Sequence, residues 1–187
     1  MATLGFSTNW PKNDGFDSIE HFFNWFAKLL GKDEPTIKAG LKDKETALLI
    51  FVRELEKNLI ELQKHGLFFN FVSDPFLPIT SELNLLAIDI ATDYQVPVIT
   101  LTKQTDWVKD IHKHLQGNYS EYYSFGFTLT GHDELEPGCA TNAQRSEAMK
   151  HLNDMGIRTW ASIEPVIDLG KSEEMIAKTK HHCNHYK

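Results

Sequence analysis

Four short, near-continuous apolar runs, each followed by a stretch with helical periodicity, leave few folds open to this chain. The runs are Leu67 to Val72, Val96 to Leu101, Tyr122 to Leu129 and Ile157 to Ile163. Each reads as a strand, and their apolar residues are consecutive rather than alternating. Strands of that kind are buried on both faces, which is the mark of parallel strands covered by crossover helices. The helical stretches fit. One runs from Asp43, a candidate cap, to about His65, with Leu48, Leu49, Val52, Leu55, Leu59 and Leu62 on one side and Gly66 as its stop. The next starts at Thr80 or Ser81 and carries Leu83, Leu86, Ala87, Ile90 and Ala91. Others cover Thr105 to Leu115 with Gly117 behind it, Thr141 or Asn142 to Met155 with Gly156 behind it, and Ser172 to about His181. Strand then helix therefore recurs at intervals of about 30 residues, the length of a βα unit. The fold class is α/β, as an open doubly wound sheet or as part of a barrel.

Ahead of this pattern the chain differs. Residues 1–20 are turn-rich, with Asn9, Pro11, Asn13, Asp14 and Gly15. Phe22, Trp25, Phe26, Leu29 and Leu30 then stand at helical spacing before Gly31. We therefore divide the chain into a lead-in with an aromatic helix, residues 1–40, and an α/β part, residues 41–187. No apolar run reaches the ~18 residues of a membrane helix, and no basic-then-apolar leader opens the sequence. The expected setting is cytoplasmic and reducing, because two cysteines among 187 residues build no disulfide framework. A net charge of −7 argues against a nucleic-acid partner.

Parallel α/β sheets place their sites at the carboxyl ends of the strands. The polar residues there are Ser73-Asp74-Pro75, Thr102-Lys103, Thr128 to Asp133, and Ser162 to Pro165 with Asp168 beyond. Glu164 stands out, because a carboxylate inside an apolar run is costly to bury unless it is paired or holds a ligand. Asp74 before Pro75 suits either a site or an Asx turn that ends the strand. Lys103 has the position of a Schiff-base lysine. His132 reads as a loop residue or a base. His181, His182, Cys183 and His185 are metal-ligating types near one another, with His181 and His185 one helical turn apart, but no second ligand group lies at a zinc spacing. His112 and His114 point to different faces of a helix. No glycine-rich phosphate loop follows any strand.

The stretch Phe71-Val72-Ser73-Asp74-Pro75-Phe76-Leu77-Pro78 resembles the TDP-x-x-P segment of radical SAM proteins related to spore photoproduct lyase. Val98 to Lys103 is similar to their next strand. Phe125 to Thr130, Leu135-Glu136-Pro137-Gly138, Arg145 with Glu147-Ala148, Gly156 to Thr159 and Ile163 to Ile167 follow in that family's order. The likeness spans roughly residues 31–187. It implies a partial (β/α) barrel, here incomplete at both ends, with a four-iron four-sulfur cluster on a C-x-x-x-C-x-x-C loop and S-adenosylmethionine (SAM) on the cluster. It also implies cofactor-binding roles for five residues: Ser73 and Asp74 near the methionine amino group, Thr128 and Thr130 near the ribose, and Glu164 near the ribose or substrate.

The chain departs from that family where its chemistry begins. Residues 10–30 contain no cysteine, and Cys139 and Cys183 lack the triad spacing. The expectation is therefore a degenerate or truncated radical SAM-like protein that lacks the cluster ligands and retains SAM or nucleoside binding. The alternatives are a non-catalytic scaffold that covers its sheet edges as a homodimer, and an unrelated small-barrel lyase using Lys103.

Overall fold

The computed structural model describes residues 44–69, 73–114 and 122–187. The aromatic helix expected at 22–30, the cap at Asp43, the end of the first strand at 70–72 and the stop at Gly117 lie outside these residues. Leu55–Lys187 forms one compact unit; of a second unit only Lys44–Glu54 is described.

Helix α1, Lys44–Lys57, and helix α2, Leu59–His65, replace the single helix expected over 43–65. The break falls at Asn58, a poor helix former whose backbone leaves the helical region (φ −113°, ψ 16°). Leu55 and Leu62, seven positions apart, are both buried. Gly66 then adopts φ +75°, a left-handed value that a side chain resists, and turns the chain into β1, Leu67–Phe69.

The remaining elements are α3 (Ser81–Asp93), β2 (Val98–Thr102), β3 (Tyr123–Thr128), α4 (Asn142–Asp154), β4 (Arg158–Ser162), α5 (Leu169–Thr179) and β5 (His185–Tyr186), and through α5 they follow the predicted order. One element differs in kind. The helix expected over 105–115 is a 3-10 helix, Asp106–Lys113. Trp107, Val108 and Ile111 are its buried residues. Thr141 caps α4 through a complete capping box with Gln144.

All five strands are parallel and lie in the order β1-β2-β3-β4-β5. Every crossover therefore steps in one direction. Right-handed crossovers of that kind place their connections on one face. Such a sheet is singly wound, so the doubly wound alternative does not apply. The sheet is also open: among the described residues β1 pairs with β2 alone, and β5 with β4 alone. The predicted parallel α/β architecture is present, as an open sheet.

The helical face holds the core. Phe76 stacks on Trp107 at 4.0 Å between ring centres, and Trp107 meets Phe125 at 4.9 Å. Tyr123 accompanies them, its hydroxyl 3.2 Å from Thr92 Oγ1 of α3. On the opposite face Trp160 lies over Gly126, so close that a Cβ added there would stand 2.2 Å from Trp160 Cε2. The Trp160 indole N–H reaches across to donate to the Thr100 carbonyl at 3.1 Å. Only glycine at 126 admits this arrangement.

Candidate functional site

Because the strands are parallel, their carboxyl ends share one edge of the sheet, and the polar loops gather there. Asp74 follows β1 and is bound in three ways. Its Oδ1 accepts from the Phe76 N–H at 2.9 Å, which is the Asx turn, and from Thr102 Oγ1 at 2.6 Å. Its Oδ2 accepts from the Lys103 N–H at 2.6 Å. The carboxylate thus ties the end of β1 to the end of β2.

A second knot joins β2, β3 and α4. Arg145 on α4 is fully buried. Its Nε donates to the Ala140 carbonyl at 2.7 Å, its Nη1 to the Thr128 carbonyl at 2.6 Å, and its Nη2 to Glu136 Oε2 at 2.7 Å. Glu136 Oε1 lies 2.6 Å from Lys103 Nζ. Thr130 Oγ1 also donates to Glu136 Oε2, at 3.2 Å. Burial pushes the Glu136 carboxyl up, but the hydrogen bonds and charges of Lys103 and Arg145 outweigh it and hold it below the usual carboxylate range.

The five residues nominated from the sequence are divided by this geometry. Asp74 and Thr130 belong to the two knots. Thr128 is buried and contributes its carbonyl to Arg145. Ser73 is half-buried beside Asp74. Glu164 stands apart: its side chain is 60% exposed and 3.1 Å from Lys187 Nζ. The expected cost of burying it does not arise, because β4 ends at Ser162 and the chain from Glu164 to Gly170 runs exposed. His132 sits in the loop after β3 with Nδ1 2.8 Å from Glu134 Oε1.

Glu136 and Arg145 were not singled out as site residues by sequence reasoning. The signal for Arg145 was present: it shares the 145, 148, 149, 152 spacing with Ala148, Met149 and Leu152, the buried face of α4. A charged residue in a core stripe requires a partner. The partner, Glu136, lies in a turn, where no periodicity announces it.

Two clefts are described, and neither is lined by Asp74, Thr128 or Glu164. One of about 250 Å³ lies beside Lys103, between Gln104, Asp106, Gly138, Cys139 and Gln144. One of about 350 Å³ lies between α4 and α5, along Ser146, Lys150, Met175 and His182.

The residues do not fit an iron–sulfur cluster. Cys139 follows the loop at the carboxyl end of β3, whereas Cys183 precedes β5 and so lies toward the amino ends of the strands. Two thiols at opposite ends of a sheet cannot share a cluster. Burial also pushes both thiols up, away from the thiolate form that ligates iron. Among the described residues no group of three or more His, Cys, Asp or Glu side chains could hold a metal ion, the His181 to His185 segment included. No described helix is long and apolar enough to cross a membrane. No family model, curated protein or solved structure matches the chain.

Proposed function

We propose that this chain is a radical SAM-like protein, a partial (β/α) barrel in architecture, that has lost the founding chemistry. The reading draws on the linked motifs and on the singly wound parallel sheet that carries them in order. One observation carries the loss: the carboxyl-end polar groups are engaged with one another. Asp74 accepts from Thr102, the Lys103 N–H and the Phe76 N–H, and Glu136 is held by Lys103, Arg145 and Thr130. A methionine amino group arriving at Asp74 would meet a carboxylate whose charge is already shared among three internal donors. SAM or nucleoside binding at this end is therefore weak, and the same groups serve the scaffold reading by clamping β1, β2, β3 and α4 together. The lyase alternative is disfavoured by Lys103 itself. Its Nζ lies 2.6 Å from the Glu136 carboxylate, not in the apolar pocket in which a Schiff-base lysine works.

The test is anaerobic reconstitution with iron and sulfide, followed by calorimetric titration with SAM and with 5′-deoxyadenosine. The expected result is no stoichiometric iron and a dissociation constant no tighter than about 1 mM. About four irons per chain with release of 5′-deoxyadenosine would overturn the reading.

A further inference from the structure

His182 stands at the joint between α5 and β5, where both are fastened to β4. Its N–H donates to the Thr179 carbonyl at the end of α5, at 2.9 Å, and its carbonyl accepts from Thr159 Oγ1 of β4. Asn184, two residues on, is tied to the same Thr159 twice. Its Oδ1 accepts from the Thr159 N–H at 2.9 Å, and its N–H donates to the Thr159 carbonyl at 2.9 Å. Beyond that joint β5 holds β4 through two register pairs, Trp160 with His185 and Ala161 with Tyr186. Thr179 Oγ1 and the Tyr186 hydroxyl, 2.8 Å apart, join α5 to β5, so the two elements dock together.

The ring of His182 borders the cleft between α4 and α5, and its Nε2 is buried with no hydrogen-bond partner among the described residues. A neutral imidazole tolerates this, since its proton can sit on Nδ1 and leave Nε2 bare. An imidazolium carries a proton on both nitrogens. Protonation therefore sets a charged N–H where no acceptor is described, and that is costly. The surrounding charges do not cancel the cost. Burial pushes the imidazole below its ordinary 6.5; Asp154 and Glu147 of α4 favour the charged ring, whereas Lys150 of α4 and neighbouring His181 oppose it. Lys178 of α5, on the same cleft, is paired with Glu174 at 2.6 Å. Released from the fold, the ring titrates at its ordinary 6.5. Above that value it is neutral in both forms and docking is intact. As pH falls past 6.5 the released form takes up its proton first, and docking weakens until pH has passed the lower, docked value.

We propose that His182 is a proton-sensitive clasp: protonation of its ring in mild acid loosens α5 and β5 from β4 while the rest of the sheet stays folded. The opening uncovers the backbone N–H and C=O groups of β4 that β5 otherwise pairs, and so creates a new sheet edge. The proposal goes beyond the radical SAM-like reading and does not rest on it, since it uses only the joint and the unpartnered nitrogen.

Amide hydrogen exchange of the whole chain, corrected for the intrinsic effect of pH, tests it. The amides of Asn184 and Lys187, which donate to β4, report the opening, and the Val98 amide of β2 is the reference. Between about pH 7.5 and about pH 5.5 the opening constant at the first two should rise about threefold or more, as one linked proton requires, while that of Val98 stays level. His182→Gln, which takes up no proton, abolishes the rise. His185→Gln, at an exposed ring on β5, leaves it in place. The wild-type chain gives a second answer without any variant: the His182 ring resonances should titrate below 6.5, on the same curve as the Asn184 amide. No rise, a rise that persists in His182→Gln, or one that His185→Gln removes overturns the proposal. So does a rise shared by Val98, or a His182 ring that titrates at 6.5 or above.

Discussion

Removing one charge from the buried knot, by Glu136→Gln, tests whether Lys103, Glu136 and Arg145 hold the carboxyl end of the sheet together. The variant keeps the shape of the side chain and leaves Arg145 fully buried without a counter-ion, beside a half-exposed Lys103. Arg145 keeps its bonds to the Ala140 and Thr128 carbonyls, so the loss is electrostatic. Breaking a buried pair by removing one partner costs about 3–5 kcal/mol. A domain of this size has about 5–15 kcal/mol in all. At about 2–4 °C per kcal/mol, Tm should fall by about 6–20 °C. The acid limb gives a second readout. The Glu136 carboxyl is held below its unfolded value of 4.5, so its contribution is complete above that value. It is lost as pH falls through the lower folded value. Urea titrations should therefore show a gap between wild type and Glu136→Gln that is full at pH 7, narrows below about pH 4.5 and closes in stronger acid. A gap under about 1 kcal/mol at pH 7, or one unchanged by acid, would refute the assignment. If Glu136→Gln does not fold, Glu136→Asp, which shortens the reach but keeps the charge, should show a smaller loss with the same pH dependence.

Two further outcomes follow from single contacts. Gly126→Ala forces the Trp160 indole off the sheet and strains its bond to the Thr100 carbonyl, at about 1–3 kcal/mol, and thermal unfolding should register it; an unchanged Tm would mean that the indole does not lie where described. Asp74→Asn presents an amide to donors that need acceptors, at Thr102 Oγ1 or the Lys103 N–H, and should cost about 1–3 kcal/mol in urea unfolding. Full stability in that variant, combined with loss of SAM affinity, would return Asp74 to a binding role.

Much of the fold was legible in the sequence because burial leaves a local trace. Continuous apolar runs showed the parallel strands, and Gly66 and Thr141 marked element ends through backbone geometry that reaches only a few residues. The break at Asn58 and the 3-10 helix at Asp106–Lys113 were not legible. Both lie where apolar spacing fits a longer α-helix, and that spacing registers neither the interruption at Asn58 nor the tighter winding of a 3-10 helix.

The site divides in the same way. Sequence alone placed Asp74, Thr128, Thr130 and Glu164 at strand ends, since the order of strand and loop determines that much. It also determined that no cysteine triad is present. Which of those residues meet was decided only by the tertiary structure, because a hydrogen bond between Asp74 and Thr102 or an ion pair between Glu136 and Arg145 depends on strand register and helix placement. Register set Asp74 against β2, and the packed face of α4 brought Arg145 to Glu136. The early end of β4 left Glu164 in solvent beside Lys187. A carboxylate's position along the chain shows where it can serve; its partners in space decide whether it binds a ligand or fastens the fold.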